Sequence, residues 1–276
     1  MNLAALQSRW KQARRFVASG HAVRDVPAAF LLGVARGSPF NGSNWMTSLG
    51  LRWFPEISVR PRRLRGERVI VNTSDLGQLI SYEETMVECS YDMDLVPFVP
   101  ELILDCGAHS GLFTRLASLR FRDSKIIAFE PNRANTEMFR KQISHQYNKI
   151  QLVEAAVAAD SGDTWFTAEF SNTGRLRSAK EDKDGWKVKV VSLPKFLADK
   201  DAATLLLKLD IEGEERRLIS KLTPALPSEC AIFFETHDGD PGWNDMTSEL
   251  IEAGFDVRKL RCRGRFVDGF ALRTLP

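Results

Sequence analysis

The chain has 276 residues, 43% of them hydrophobic, enough for one sizeable core with an appendage and too apolar for overall disorder. Formal charge is only +2, yet the first 70 residues hold 12 Lys or Arg against 3 Asp or Glu, while the remainder holds 26 against 33. A uniformly basic protein is thereby excluded, and the basic beginning stands as a surface for an anionic acceptor, a nucleic acid or an acidic membrane.

Cys89, Cys106, Cys230 and Cys262 form no short CxxC pair and are too sparse for a disulfide scaffold, so reduced thiols and a cytoplasmic location are expected. The opening MNLAALQSRWKQARRF lacks the ordered segments of a signal peptide, and Ala28 to Leu32 is too short an apolar run to span a bilayer. No integral membrane segment is expected; peripheral association stays open through the basic region.

Residues 1 to about 38 read as one or two short helices with an imperfect apolar stripe of Leu3, Leu6, Trp10 and Phe16, a packing or homo-oligomer contact. Residues 40 to 75 mix Gly and Pro with Trp45, Leu51, Trp53, Phe54, Ile57, Val59, Val69 and Ile70 in short extended runs. Together they are expected to form an accessory region, 1–75, ahead of a catalytic domain, 76–276. From residue 76 onward helical and strand-like patterns alternate. Leu102 to Leu104 predicts a strand, a Gly-rich bend follows, and Phe113, Leu116, Ala117 and Leu119 mark a helix. Ile126 to Phe129 predicts the next strand, stopped by Pro131, and Met138, Phe139 and Ile143 share one face of a second helix. Residues 150 to 157 read as a third strand. Polar ground at 160 to 186 reads as irregular, a place for a flap or acceptor loop.

The alternation resumes with Val188 to Val191, Leu205 to Leu209, a helix near 214 to 223, Ala231 to Phe234 and a helix over about 243 to 252. Phe255 to Leu260 and Phe266 to Leu275 flank Arg263-Gly264, a hairpin turn. The expected fold is α/β, a mostly parallel seven-stranded sheet with one antiparallel strand near an edge.

Acids follow these strands: Asp105, Glu130, then Asp210 with Glu212. In a parallel sheet they gather at the C-terminal edge, where open α/β folds bind ligands. Gly107 and Gly111 give the loop Asp105 to Gly111 a backbone cradle. His109 stands where a dinucleotide fingerprint needs its second glycine, and no Gly-Lys-Ser/Thr follows, so pyrophosphate is a poor fit. A cationic ligand without phosphate fits the acids better. S-adenosylmethionine is the expected cofactor: Asp105 toward its amino group, the loop N–H groups toward its carboxylate, Glu130 toward its ribose hydroxyls.

Asp210 is expected to face the methionine end of that cofactor or to position the acceptor, and Glu212 to face the reaction pocket. Glu214 and Glu215 read as helix N-terminal acids that favour the dipole without touching ligand. Glu235 and His237 follow the next strand and fall near Asp210, so His237 and Glu212 are the candidate proton acceptors. His237 with its neighbouring carboxylates is also competent to ligate a metal, but spacing alone establishes no geometry and no metal is assigned.

Leu102 to Gly111, Ile126 to Pro131 and Leu207 to Gly213 resemble the FkbM family of S-adenosylmethionine-dependent methyltransferases, and Phe234 to His237 adds to the likeness. AFEPN followed much later by KLDIEGEE is more diagnostic than the glycine loop DCGAHSG. The resemblance runs through roughly residues 80 to 260 and implies a class I methyltransferase-like Rossmann fold. It carries cofactor binding onto Asp105, Gly107, Gly111 and Glu130 and puts Asp210, Glu212 and Gly213 in the acidic turn of the family pattern. It also implies that Glu154 or Ala155 lies near the adenine edge. His109 stands where members often have Asn, which alters local hydrogen bonding within the cofactor loop.

The resemblance implies O-methylation of a small molecule or saccharide as the leading activity, with a lipid headgroup as a further acceptor for the basic region. Two alternatives remain: an N-methyltransferase acting on a protein or nucleic acid, and a catalytically silent cofactor-binding protein. Nucleic acid is disfavoured because VRPRRLRGER lacks interleaved aromatics for base stacking. No amino-methylating Asn-Pro-Pro-Phe/Tyr run occurs where LDIEGE stands.

Overall fold

The computed structural model describes residues 11, 13–18, 56–73, 75–143, 149–167, 175–177 and 185–275. The expectations for Leu3, Leu6, Trp10, Trp45, Leu51, Trp53 and Phe54 fall outside the described residues. The chain divides into two compact units between Cys89 and Ser90, further along than the boundary read from composition.

In the first unit, β1 (Glu56–Val59) pairs antiparallel with β2 (Val69–Asn72). Their inward residues Ile57, Val59, Val69 and Val71 alternate with more exposed ones, the pattern of a half-buried ribbon. The connection turns at Arg65 and Gly66, both with positive φ, and Arg62, Arg65 and Arg68 stay exposed. Helix α1 (Leu76–Tyr82) begins at Asp75, whose side chain accepts the Gln78 N–H, and buries Leu79 and Tyr82. Phe16 stacks on Tyr82 at 5.8 Å, so residues on either side of position 75 share one core.

The second unit is built on a seven-stranded sheet. In chain order its strands are β3 (Leu102–Cys106), β4 (Lys125–Phe129), β5 (Ile150–Val153), β10 (Thr204–Leu209), β11 (Glu229–Thr236), β12 (Asp256–Arg263) and β13 (Phe266–Arg273), in the spatial order β12-β13-β11-β10-β3-β4-β5. Only β13 runs against the rest. The middle strands are continuous apolar runs because both faces are covered. Leu205, Leu206, Leu207 and Leu209 are all fully buried, each burial stabilising by about 1.5–3 kcal/mol. Against the sheet pack α2 (Leu112–Arg120), α3 (Arg133–Gln142), α4 (Leu193–Ala198), α5 (Glu215–Leu222) and α6 (Gly239–Glu252).

Three expectations change. Residues 150 to 157 are not one strand: β5 ends at Val153, and β6 (Ala156–Ala158) belongs to a separate four-stranded sheet. That sheet, ordered β6-β9-β7-β8, also takes β7 (Gly162–Thr167), β8 (Arg175–Arg177) and β9 (Trp186–Ser192). The polar stretch expected to be irregular therefore contains strands, and Val188 to Val191 leaves the main alternation. Packing is the reason: Ala156, Phe166, Val188 and Val190 form a small apolar cluster of their own, with Trp186 edge-on to Phe166 at 5.1 Å.

The chain lays β3, β4 and β5 outward in one direction, then returns to place β10 on the other side of β3. This reversal makes the ends of β3 and β10 the switch point, the place at which open α/β sheets bind ligands.

Candidate active site

Register brings the predicted acids together. Lys208 pairs with Asp105 across β10 and β3, Cys106 with Phe129 across β3 and β4, and Leu209 with Phe234 across β10 and β11. Asp105, Glu130, Asp210 and Glu235 thus stand at neighbouring strand ends.

The bend after β3 is held closed by backbone. Gly107 and Ala108 donate their N–H groups to the Phe129 carbonyl at 3.1 and 2.9 Å, and His109 donates its own to Glu130 Oε2 at 2.8 Å. Gly107, at φ +80°, has no room for a side chain, since a Cβ would lie 1.9 Å from the Asp210 carbonyl oxygen. These N–H groups are therefore taken by the protein, and the expected carboxylate cradle narrows to the residues entering α2. There Gly111 occupies the N-cap without a capping side chain, so the first-turn N–H groups lack an intrahelical partner.

Asp105 is fully buried. Its Oδ2 accepts from the Thr114 hydroxyl at 2.6 Å, while Oδ1 has no hydrogen bond and faces Lys208 Nζ at 3.6 Å. Burial pushes its pKa up against the pull of Lys208 and Thr114. Glu130 accepts from the Asn132 N–H at 2.9 Å, the Asn135 amide at 3.2 Å and the His109 N–H. Burial nevertheless pushes it up to about 7. Those bonds leave about one of its four lone-pair sites for a ligand hydroxyl.

Lys208 is the residue that sequence reasoning passed over. Its buried ammonium donates to the Gly107 carbonyl at 2.8 Å and lies 3.3 Å from Asp210 and 3.6 Å from Asp105. Burial would lower its pKa, but the two aspartates raise it on balance. Asp210, partly exposed, also accepts from the Tyr91 hydroxyl at 3.5 Å; burial raises its pKa, and Lys208, His237 and His109 bring it below the usual value. The signal for Lys208 was a lone charge inside an otherwise apolar central strand, where an unpaired lysine is almost never buried.

The turn after β10 is strained. Glu212, at φ 60°, is a non-glycine residue in the left-handed region, and Gly213 follows at φ +105°. Glu215 at the start of α5 pins this turn, accepting N–H groups from Ile211 at 2.6 Å and Gly213 at 2.9 Å. Its place as a helix N-terminal acid is as expected, but burial pushes it up to about 7 and brings it against His237.

His237 is buried at the end of β11, edge-on to Phe266 at 5.5 Å. Its Nε2 lies 3.3 Å from both Glu212 and Glu235, and its Nδ1 3.8 Å from Glu215. Burial depresses its pKa, but the Glu212 and Glu215 carboxylates outweigh that and hold it at about 9. Ligand-free, the imidazole keeps its proton at neutral pH. Glu235, bound by Arg263 at 2.5 Å, is pushed up to about 11 by burial and by Asp210 and Asp268.

The two residues expected at the adenine edge differ. Glu154 is exposed and paired with Arg140 of α3, whereas Ala155 is buried and donates its N–H to Val153 at 2.9 Å, beside the Glu130 strand end. Among the described residues no helix is long and apolar enough to cross a membrane.

A seven-stranded sheet with one reversed strand next to its edge, reversing direction at a glycine bend flanked by acids, defines the class I methyltransferase fold. The family model of the methyltransferase FkbM domain matches residues 105–257, more than half of the chain. The protein belongs to this family of S-adenosylmethionine-dependent methyltransferases.

Similar solved structures include the methyltransferase FkbM from Methylobacillus flagellatus KT, at 13% identity over 98% of this chain and 59% of that one, TM-score 0.49. An O-methyltransferase family protein from Burkholderia thailandensis is 11% identical over 71% of this chain and 57% of that one, TM-score 0.45. Human N-acetylserotonin methyltransferase in complex with SAM is 12% identical over 98% and 68%, TM-score 0.40. The chain spans under two thirds of the length of the first two. No curated protein sequence matches it.

Proposed function

We propose that the protein methylates a hydroxyl oxygen of a small molecule or saccharide, using S-adenosylmethionine. The observation that carries this reading is the buried imidazole of His237, 3.3 Å from Glu212 and Glu235 and next to Asp210 at the switch point. A hydroxyl must lose a proton as its oxygen gains the methyl group, and this cluster puts proton-accepting groups there.

The residues present fit the cofactor. Asp105 Oδ1, buried and without a hydrogen bond, with Asp210 suits an ammonium group; Glu130 retains acceptor capacity for ribose hydroxyls; Gly111 and the uncapped start of α2 suit a carboxylate; Ala155 and the backbone near His109 flank the rest. Bound there, S-adenosylmethionine supplies an electrophilic methyl carbon on a sulfonium. The chain contributes position: the acceptor oxygen must lie in line with the breaking sulfur–carbon bond, and holding it there provides much of the acceleration. As the oxygen–carbon bond forms, the hydroxyl proton passes to the Glu212 carboxylate, which the protonated His237 imidazole holds at 3.3 Å, and S-adenosylhomocysteine is left.

The basic composition of the first 70 residues favours an anionic acceptor, a charged saccharide or lipid headgroup, whose affinity should weaken with salt. Methyl release measured across hydroxyl and amine acceptors tests the proposal. Transfer to hydroxyls with a His237→Ala variant that loses turnover by about 10²–10⁴-fold, but keeps its cofactor affinity, is the expected result. Transfer to amines alone, or unchanged turnover in that variant, rejects it.

A further inference from the structure

We propose that Asp210, Glu215 and His237 form a binding site for one divalent metal ion of the manganese, iron or zinc type. One ligand atom from each of these residues lies within 4.8 Å of the other two. Ligands about 2.1 Å from a common ion are at most about 4.2 Å apart, so side-chain adjustments of well under an ångström complete the set. Glu215 approaches Nδ1 of the imidazole at 3.8 Å, while Glu212 and Glu235 approach Nε2 at 3.3 Å from the other side of the ring and would orient it.

A group of acids alone would not point to a metal. The second observation is His237 itself: its side chain is 4% exposed, and neither ring nitrogen makes a hydrogen bond among the described residues. A buried imidazole usually has both nitrogens satisfied. Here the carboxylates approach at 3.3–3.8 Å, as ion pairs short of hydrogen-bond geometry, an arrangement that an ion in place of the imidazole's proton would also satisfy.

Charge points the same way. Asp210, Glu212, Glu215 and Glu235 converge on one imidazole, with Lys208 beside Asp210 and Arg263 beside Glu235 as the flanking cations. Clustered buried carboxylates are costly, and a divalent ion offsets two of them at once. Imidazole mixed with carboxylate, and no thiolate, suits Mn²⁺, Fe²⁺ or Zn²⁺ better than Ca²⁺ or Cu⁺. Glu215 is then more than a helix-start acid: its two N–H bonds to the strained turn would fix a ligand oxygen in place.

The role of the ion rests on the proposed methyl transfer to oxygen. Beside Asp210 it would polarise the acceptor hydroxyl and lower its pKa, which removes the need for a free histidine base. The existence of the site does not depend on that role.

The test titrates Mn²⁺ into the EDTA-treated full-length protein, following the loss of the free-ion electron paramagnetic resonance signal, with S-adenosylmethionine binding measured on the same sample by calorimetry. Saturable binding of one ion per chain is expected, weakened at least about tenfold, or about 1.4 kcal/mol, in Asp210→Asn and His237→Ala. Because either substitution could disturb folding, spin-echo modulation from a coordinated ¹⁴N in the unmodified protein gives an independent readout. No saturable binding, bound Mn²⁺ without nitrogen coupling, or equal affinity in well-folded variants overturns the site. A sample that takes up the methyl donor but no Mn²⁺ defeats the metal site alone; one that takes up neither defeats the methyltransferase reading with it.

Discussion

Lys208 donates to the Gly107 carbonyl at 2.8 Å, tying the end of the fourth parallel strand to the glycine bend that follows the first. The same ammonium lies between Asp105 and Asp210, so one side chain satisfies a backbone acceptor and separates a fully buried carboxylate from a partly exposed one.

Lys208→Met keeps the apolar stem and deletes that charge. Leaving both aspartates without their cation should cost about 3–5 kcal/mol of stability, the usual cost of breaking a buried pair from one side. Adding Asp105→Asn to the same variant should restore part of the loss, because one of the orphaned charges is then gone. Equilibrium urea unfolding of both single variants and the double variant measures the coupling; strictly additive losses would show that Lys208 acts by packing alone.

Glu130 should make cofactor affinity depend on pH. Burial raises its folded pKa to about 7, whereas an unfolded glutamate titrates near 4.5. Its contribution to stability is therefore present below about 4.5 and is lost as pH rises through about 7. Binding has the opposite sign, since ribose hydroxyls donate best to the ionised carboxylate. The dissociation constant for S-adenosylmethionine should be flat above about pH 7 and rise toward tenfold per unit below it. In Glu130→Gln the slope should vanish and affinity at pH 8 should fall by about 10–100-fold, the loss expected for charge-assisted hydrogen bonds. Calorimetric titrations from pH 5.5 to 8.5 decide the matter, and an unchanged slope in the variant would place the titrating group elsewhere.

The main sheet could be read from the chain because its strands are buried on both faces and appear as apolar runs such as Leu102 to Leu104 and Leu205 to Leu207. Acids directly after such runs could then be assigned to one edge without knowing any contact. What could not be read depended on register. That Phe129 takes the N–H groups of Gly107 and Ala108 follows from Cys106 standing opposite Phe129, a pairing that no local pattern encodes. The break at Glu154-Ala155 was hidden because Ile150 to Val157 is a plausible strand by composition; only the competing sheet formed with Val188 and Val190 divides it. Lys208 stayed invisible for a different reason. A charged residue in a strand looks like an exposed position until the chain's path puts an acid at the end of the neighbouring strand and a second one two residues on.

Glu212 joins backbone strain to chemistry, and a glycine there separates the two. At φ 60° a non-glycine residue costs on the order of 1 kcal/mol, which glycine avoids, and losing the carboxylate also relieves crowding with Glu215 and Glu235 around His237. Glu212→Gly should therefore leave stability unchanged or raise it by up to about 1 kcal/mol, visible as a melting temperature about 2–4 °C higher. Turnover should move the other way, falling by at least about tenfold, while S-adenosylmethionine affinity stays within a few-fold. The loss of one carboxylate should also let the His237 pKa drop from about 9, measurable as a lower midpoint pH in its imidazole titration by NMR. If melting temperature and turnover fall together, Glu212 holds the turn in place rather than serving the reaction; a stabler protein that transfers methyl groups poorly would show that the strain is kept for function.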